Sequence, residues 1–261
     1  MRQLLACFLL GSVLCAATGY AADVHVGTHG AFANDNRDDR AKIQDAIQAC
    51  QPGDRLLFRP GIYDLWNQGT PLALSLSGKS QLEIDGRGCT LRLHGFDIVN
   101  PGSYANVFFG EGCDQIWIHD LVIDMVREPF SVGQVVATSS NNTVVSIQFD
   151  PGFPVVGRTF IETMMSYDDQ GRPDGSSCDR YFQTPLRGTL VGPQTLEFTL
   201  PSAASLGVSQ LVVVRHKVYG ANAFTFRNSA RSTCRGSRST PCRAWHSSAR
   251  AAMASRSRVA R

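Results

Sequence analysis

The period of the apolar positions changes as the chain is followed. Between Arg40 and Cys50, the residues Ala41, Ile43, Ala46, Ile47 and Cys50 recur at three- and four-residue intervals, which is the spacing of one helix face. Asp38 or Asp39 stands where a side chain accepts from the free N–H groups of a helix start, and Gln51-Pro52-Gly53 supplies the stop. The run Asp35-Asn36-Arg37-Asp38-Asp39 lacks the glycine and terminal glutamate of a calcium loop, so helix capping is the better reading. From Leu56 onward the period becomes two, in short runs separated by turn residues. These runs are Leu56–Phe58, Leu72–Leu76, Gln81–Gly86, Cys89–His94, Asn106–Gly110 and Gln115–Asp124. Alternation places Leu91, Leu93, Ile116, Ile118, Leu121 and Ile123 inward and Glu83, Arg92, Trp117, Val122 and Asp124 outward. His94 and His119 fall near bends. Gly88-Cys89 through His94 overlays Gly112-Cys113 through His119 at an offset of 24 to 25 residues, the signature of stacked repeats.

The pattern breaks at about Ser131. The segments Gly133–Ala137, Thr143–Phe149, Gly188–Val191, Thr195–Leu200 and Gln210–Arg215 read as antiparallel strands around a polar loop containing Asp168, Asp169 and Asp174. At Tyr219–Asn228 the earlier kind of run returns, similar to Tyr104–Phe109. Five segments follow: 1–21, an export signal; 22–130, a cap and first coils; 131–216, an inserted unit; 217–228, a resumed strand; and 229–261, a basic tail.

The opening from Gly30 to Tyr63, a short capped helix followed by a tight turn and a strand ending in Pro60-Gly61, resembles the N-terminal cap of right-handed parallel β-helix proteins of the pectate-lyase superfamily. The interruption after Ile123-Asp124-Met125-Val126-Arg127-Glu128 and the return through Val214-Arg215-His216-Lys217 narrow that likeness. Over about Ala31 to Asn228 the chain resembles the β-helix α-1,3-galactosidases and their relatives. The resemblance implies an all-β fold: a right-handed parallel β-helix with an N-terminal capping helix and an inserted small antiparallel β-barrel. It also implies a glycoside hydrolase acting on polysaccharide or glycan galactosides. The catalytic carboxylates of that family are expected in coils after the barrel, so none transfers to a residue of this chain.

Composition adds a compartment and a sign. Arg2, the apolar run Leu4–Val13 and the small residues Gly19 and Ala21 form an export signal cut after Ala21, which predicts a secreted or periplasmic protein without a membrane span. Of the 25 basic residues, eight lie in 228–261 and one in the first 22. The body therefore holds 16 basic residues against 22 acidic ones, a net charge of −6, which offers no footprint for nucleic acid. The eight cysteines include no Cys-x-x-Cys pair, so no metal site is read from them. Ser229–Arg261 is rich in Arg, Ser and Ala, has no acid and shows no strand alternation. Shifted by two bases in GC-rich codons, it permits text with coil periodicity. The reading frame is therefore expected to be lost near Asn228, leaving a truncated and inactive protein.

Glycoside hydrolysis uses two carboxylates at a set separation. The outward or bend carboxylates nearest the insertion are Asp120, Asp124 and Glu128, of which Asp120 and Asp124 are the catalytic candidates. Trp117 is the candidate platform for a sugar ring. His94, His119 and His216 lack partners at ligand spacing and read as bend or surface residues. No phosphate loop, serine elbow or zinc motif is present, and neither a cofactor nor a metal is predicted. Two alternatives remain: a non-catalytic, carbohydrate-binding or adhesive β-helix, and a polysaccharide lyase, for which Arg92 is the outward base.

Overall fold

The computed structural model describes residues 21–66, 72–102, 106–168, 170–175, 178–217 and 222–235. The predicted export signal up to Tyr20 lies outside them, as do Asp169 and residues 236–261 of the basic tail. The fold is all-β, with one α-helix among the described residues.

That helix, α1, spans Arg40–Ala49. Ile43, Ala46, Ile47 and Cys50 are buried against the strands, whereas Ala41 of the predicted stripe is exposed. The two predicted caps divide the work. Asp38 Oδ1 accepts from the Arg40 N–H at 3.1 Å, at the helix start. Asp39 instead ties the helix entry to its surroundings, its carboxylate accepting from the Phe32 N–H at 3.1 Å and the Asp64 N–H at 3.3 Å. Burial pushes the Asp39 carboxyl up to about 6, against the opposing pull of those N–H groups.

Seven strands come first: β1 (Asp23–His25), β2 (Arg55–Leu57), β3 (Ile62–Trp66), β4 (Leu72–Ser75), β5 (Ser80–His94), β6 (Asn106–Glu111) and β7 (Asp114–Met125). Then come β8 (Phe130–Thr138), β9 (Val144–Phe149), β10 (Phe160–Tyr167), β11 (Asp179–Arg187), β12 (Thr189–Gly192), β13 (Thr195–Thr199) and β14 (Leu211–Arg215). The last two described are β15 (Phe224–Arg227) and β16 (Thr233–Arg235). Parallel pairing orders β1-β2-β5-β7-β16, with β3 also on β5, and separately β15-β6-β4. Leu82, Ile84, Leu91, Leu93, Ile116, Ile118 and Leu121 bury their side chains in one core with α1, and Ile123 packs on its margin. Burial of each such side chain stabilises by about 1.5–3 kcal/mol.

The step between paired runs differs from the predicted overlay. Ser80 lies opposite Asp114 and Ile84 opposite Ile118, while Cys89 faces Leu121. Gly88-Cys89 and Gly112-Cys113 are therefore not equivalent positions. Each repeat contains a third strand run, β4 or β6, in a separate sheet, and this lengthens the step beyond 24 to 25 residues.

The turns confirm the longer step. Gly53, Gln81, Gln115 and Arg231 all have left-handed backbones, with φ of 96°, 51°, 55° and 50°, and they occupy successive levels of one stack. Gly78, Gly112 and Asn228 form a second such column, with φ of 74°, 64° and 48°. The second column reaches Asn228, where the sequence pattern is expected to fail, and the first runs past it to Arg231. Beyond it the Ser229 hydroxyl accepts from the Cys113 N–H at 3.1 Å, and β16 pairs in parallel with β7. Ordered pairing thus extends through Arg235.

β8–β14 form one antiparallel sheet in the order β11-β10-β14-β8-β9-β13-β12. The two ends of that path, β11 and β12, are consecutive in the chain and separated by Gly188 alone, so one bent run pairs with β10 at one end and with β13 at the other, and the sheet curls back on itself as a small barrel needs. The sheet wraps one apolar face around its own core. Phe182 from β11, Met164 from β10, Val212 and Val214 from β14, and Leu196 and Phe198 from β13 share that core.

The junction between the two units is polar and buried. Arg127 donates from Nη1 to the carbonyls of Glu128 and Phe130 at 2.7 and 2.8 Å, and from Nη2 to Ser131 Oγ at 2.7 Å. His216, predicted to lie at a surface or bend, is fully buried. Its Nδ1 is 2.7 Å from the Phe160 carbonyl and its Nε2 is 2.8 Å from Ser131 Oγ. That pattern assigns the proton to Nδ1. Burial lowers its pKa to about 3, so the imidazole is neutral and serves as a structural joint.

Candidate functional site

The outward residues of β5 and β7 make a compact group. Parallel register sets Glu83 opposite Trp117 and Asp85 opposite His119, on strands about 4.8 Å apart. Strand alternation turns their neighbours Leu82, Ile84, Ile116 and Ile118 into the core, so all four must face out. β7 then bends sharply. Asp120 has φ of 53°, and its carbonyl oxygen passes so close to Gly86 that a Cβ there would stand 2.6 Å from it and 2.4 Å from Leu121 Cβ. Only glycine fits that corner, and the corner aims the Asp120 carboxylate back at the group.

His119 is the centre. Its Nδ1 is 3.0 Å from Asp120 Oδ2 and its Nε2 is 3.0 Å from Glu83 Oε1. Asp85 Oδ1 lies 3.9 Å from Nδ1, while Asp85 Oδ2 faces Arg87 Nε at 3.5 Å. Burial opposes a charge on the ring, but hydrogen bonds to Asp120 and Glu83, with Asp85 close by, outweigh it and hold the pKa above the ordinary 6.5. The Trp117 ring leans over the imidazole with centroids 4.5 Å apart and a 37° tilt, and its residue remains 46 % exposed.

A second polar group occupies the next run of the same strands. Asp64 on β3 is buried and paired by both oxygens to Arg92 at 2.6 and 3.0 Å, with His94 Nε2 at 2.5 Å. Burial pushes the Asp64 carboxyl up, but Arg92 and His94 together bring it below the usual carboxylate range. Trp66 stacks flat on His94, 4.5 Å between centroids at 7°. Arg92 is bound to Asp64, which raises its pKa further.

The sequence candidates therefore separate. Trp117 and Asp120 meet around His119. Asp124 lies past the corner, exposed and opposite Arg92, and Glu128 sits at the junction with Oε2 4.0 Å from Arg127 Nη1. His94 and His119, read as lacking partners, both have carboxylate partners. Glu83, Asp85 and His119 were not grouped by sequence reasoning; a 34-residue step instead of 24 to 25 would have set Glu83 against Trp117 and Asp85 against His119. Asp168 accepts from the N–H groups of Gln170 and Arg172 and pairs with the Arg172 side chain at 2.9 Å, which closes its own loop.

No helix of the described residues is long and apolar enough to cross a membrane. Neither a protein-family model nor a curated protein matches the chain.

Proposed function

We propose that the protein is an exported, carbohydrate-active right-handed parallel β-helix, a relative of the glycoside hydrolases, that binds a glycan on the outer face of β5 and β7. The loss of frame expected near Asn228 makes it inactive, and hydrolysis by the chain as it stands would have to rest on Asp120. The observation that carries this reading is the half-exposed Trp117 ring beside carboxylates held at fixed positions by strand register. An indole face packs the C–H face of a sugar ring, while carboxylates accept from its hydroxyls. Asp120, 50 % exposed at its side chain, is the carboxylate placed to work on a sugar lying over Trp117. Asp124 faces a different run and is not part of this group. The parallel pairing and stacked turns support the β-helix reading, with β8–β14 as its insertion.

The lyase alternative loses support. A lyase base must release its proton, and the bidentate contact with Asp64 holds the Arg92 proton more firmly.

The test is to incubate the protein with galactoside-containing oligosaccharides, following binding and the release of reducing ends. Binding is expected to weaken at least about tenfold in Trp117→Ala, a change of about 1.4 kcal/mol. Loss of product in Asp120→Asn with binding retained would establish hydrolysis. Binding by the unaltered protein without new reducing ends would instead make the face a non-catalytic glycan-binding surface. No binding at all would remove the proposal.

A further inference from the structure

We propose that Glu83, Asp85 and His119 form a binding site for a divalent first-row transition-metal cation of the Mn2+ or Zn2+ type. One nitrogen of His119 and one oxygen each from Glu83 and Asp85 lie within 4.8 Å of one another. The set mixes nitrogen and oxygen donors, which suits such an ion better than Ca2+, whose ligands are oxygens.

The orientation of the imidazole points the same way. Metal-binding histidines donate their second ring N–H to a carboxylate, which fixes the ring. Asp120 stands in that place, 3.0 Å from Nδ1, and leaves Nε2 toward Glu83 Oε1 at 3.0 Å. Ligand atoms sharing a tetrahedral ion with bonds of 2.0–2.2 Å stand roughly 3 to 3.5 Å apart, so this pair is already at coordination spacing. Asp85 Oδ1 lies 3.9 Å from Nδ1 and accepts from the Arg87 N–H at 3.0 Å, so Asp85 completes the set by a side-chain rotation that brings one oxygen to the Nε2 side while Arg87 keeps the other.

Charge supplies a separate argument. Glu83, Asp85 and Asp120 converge on a single imidazole, and Arg87 is the one cation paired with any of them among the described residues. One imidazole cannot neutralise three carboxylates, and a divalent ion would. Three of the four side chains project from paired parallel strands, so little order remains to be created on binding. The fourth, Asp120, is fixed by the bend at Gly86.

The site is tested without sugar, so its failure and that of the glycan reading are distinguishable. The full chain is stripped with chelator and titrated with MnCl2, following heat and the quenching of Trp117 fluorescence by the paramagnetic ion. One Mn2+ per chain is expected, with quenching, and CaCl2 is expected to give no saturable binding. His119→Ala is expected to abolish the quenching, and Asp120→Asn to weaken binding about 10- to 100-fold as the loss of an orienting partner. Asp85→Asn, which keeps the shape, decides the matter if His119→Ala does not fold. Absence of saturable Mn2+ binding, tighter binding of Ca2+ than of Mn2+, or unchanged Mn2+ affinity in a folded His119 or Asp85 variant would overturn the proposal.

Discussion

The parallel unit and the antiparallel unit each enclose an apolar core with strands, yet they hold their register by different means. In β8–β14, hairpin neighbours pair locally, as in β8 with β9 and β12 with β13. In the parallel unit, partners are a whole repeat apart. Their alignment is repeated level by level, in the buried column of Leu56, Ile84 and Ile118 and in the left-handed turn residues Gly53, Gln81, Gln115 and Arg231. The outward positions are then aligned as well. That is why a carboxylate, an indole and an imidazole from residues 34 apart can meet on one face. A stack of levels builds a ladder of side chains, whereas the wrapped sheet spends its ordered face on its own core.

This contrast is open to breaking, beginning with the two cores. Phe108 and Phe198 are fully buried, one in each unit. Truncation of either to alanine is expected to cost about 3–5 kcal/mol. In denaturant melts followed by amide exchange, Phe108→Ala is expected to open the β4–β6–β15 strands first and Phe198→Ala the β9–β13 pair. Identical exchange patterns in both variants would mean that the units do not differ in this way.

Next in size is the pH response of Asp39, which belongs to the parallel unit alone. Its folded pKa of about 6 lies above the ordinary 3.8. Between those values the folded protein keeps a proton that the unfolded chain has released. Stability is therefore expected to fall as pH rises from about 4 to about 6, by on the order of 3 kcal/mol, and to be level with respect to this group above that. Asp39→Asn should flatten the slope in urea midpoints measured across that range. A slope that persists unchanged would assign it to other groups.

The corner at Gly86 is a smaller lever. Gly86→Ala forces a Cβ against the Asp120 carbonyl and Leu121 and is expected to cost about 1–3 kcal/mol. Because the same corner aims Asp120, it should also weaken glycan binding at Trp117. A stability loss with unchanged binding would separate the corner from the site. The smallest effect belongs to Arg231, whose exposed pair with Asp114 at 3.0 Å is expected to contribute under about 1 kcal/mol. Arg231→Ala should leave the melting midpoint almost unmoved.

Some of this was legible in the sequence, and the reasons are physical. The buried face of α1 and the inward and outward positions of β5 and β7 follow from backbone periods that need no partner to define them. Trp117 could be picked as an outward residue on that basis, and Asp120 as a carboxylate at the bend that follows. Register could not be read in the same way, because two Gly-Cys pairs happened to overlay at a shorter step than the strand pairing uses. That single error hid the grouping of Glu83, Asp85 and His119. His216 was misplaced because the groups that bury and bond it come from Pro129, Ser131 and Phe160, all remote in sequence. The continuation to Arg235 rests on stacked turns in which Asn228 and Arg231 repeat the conformations of glycine and glutamine, an equivalence of shape that side-chain chemistry does not announce.

The proposed role of Trp117 is that of the platform of a glycan-binding face. The most direct measurement is a fluorescence titration of a Trp66→Phe, Trp245→Phe protein, in which Trp117 is the single indole, with a galactoside-containing oligosaccharide. A saturable change in Trp117 emission, abolished when Trp117 is also replaced by alanine while the fold is retained, is the predicted result. Oligosaccharide binding that leaves Trp117 emission unchanged would contradict the account by placing the glycan elsewhere.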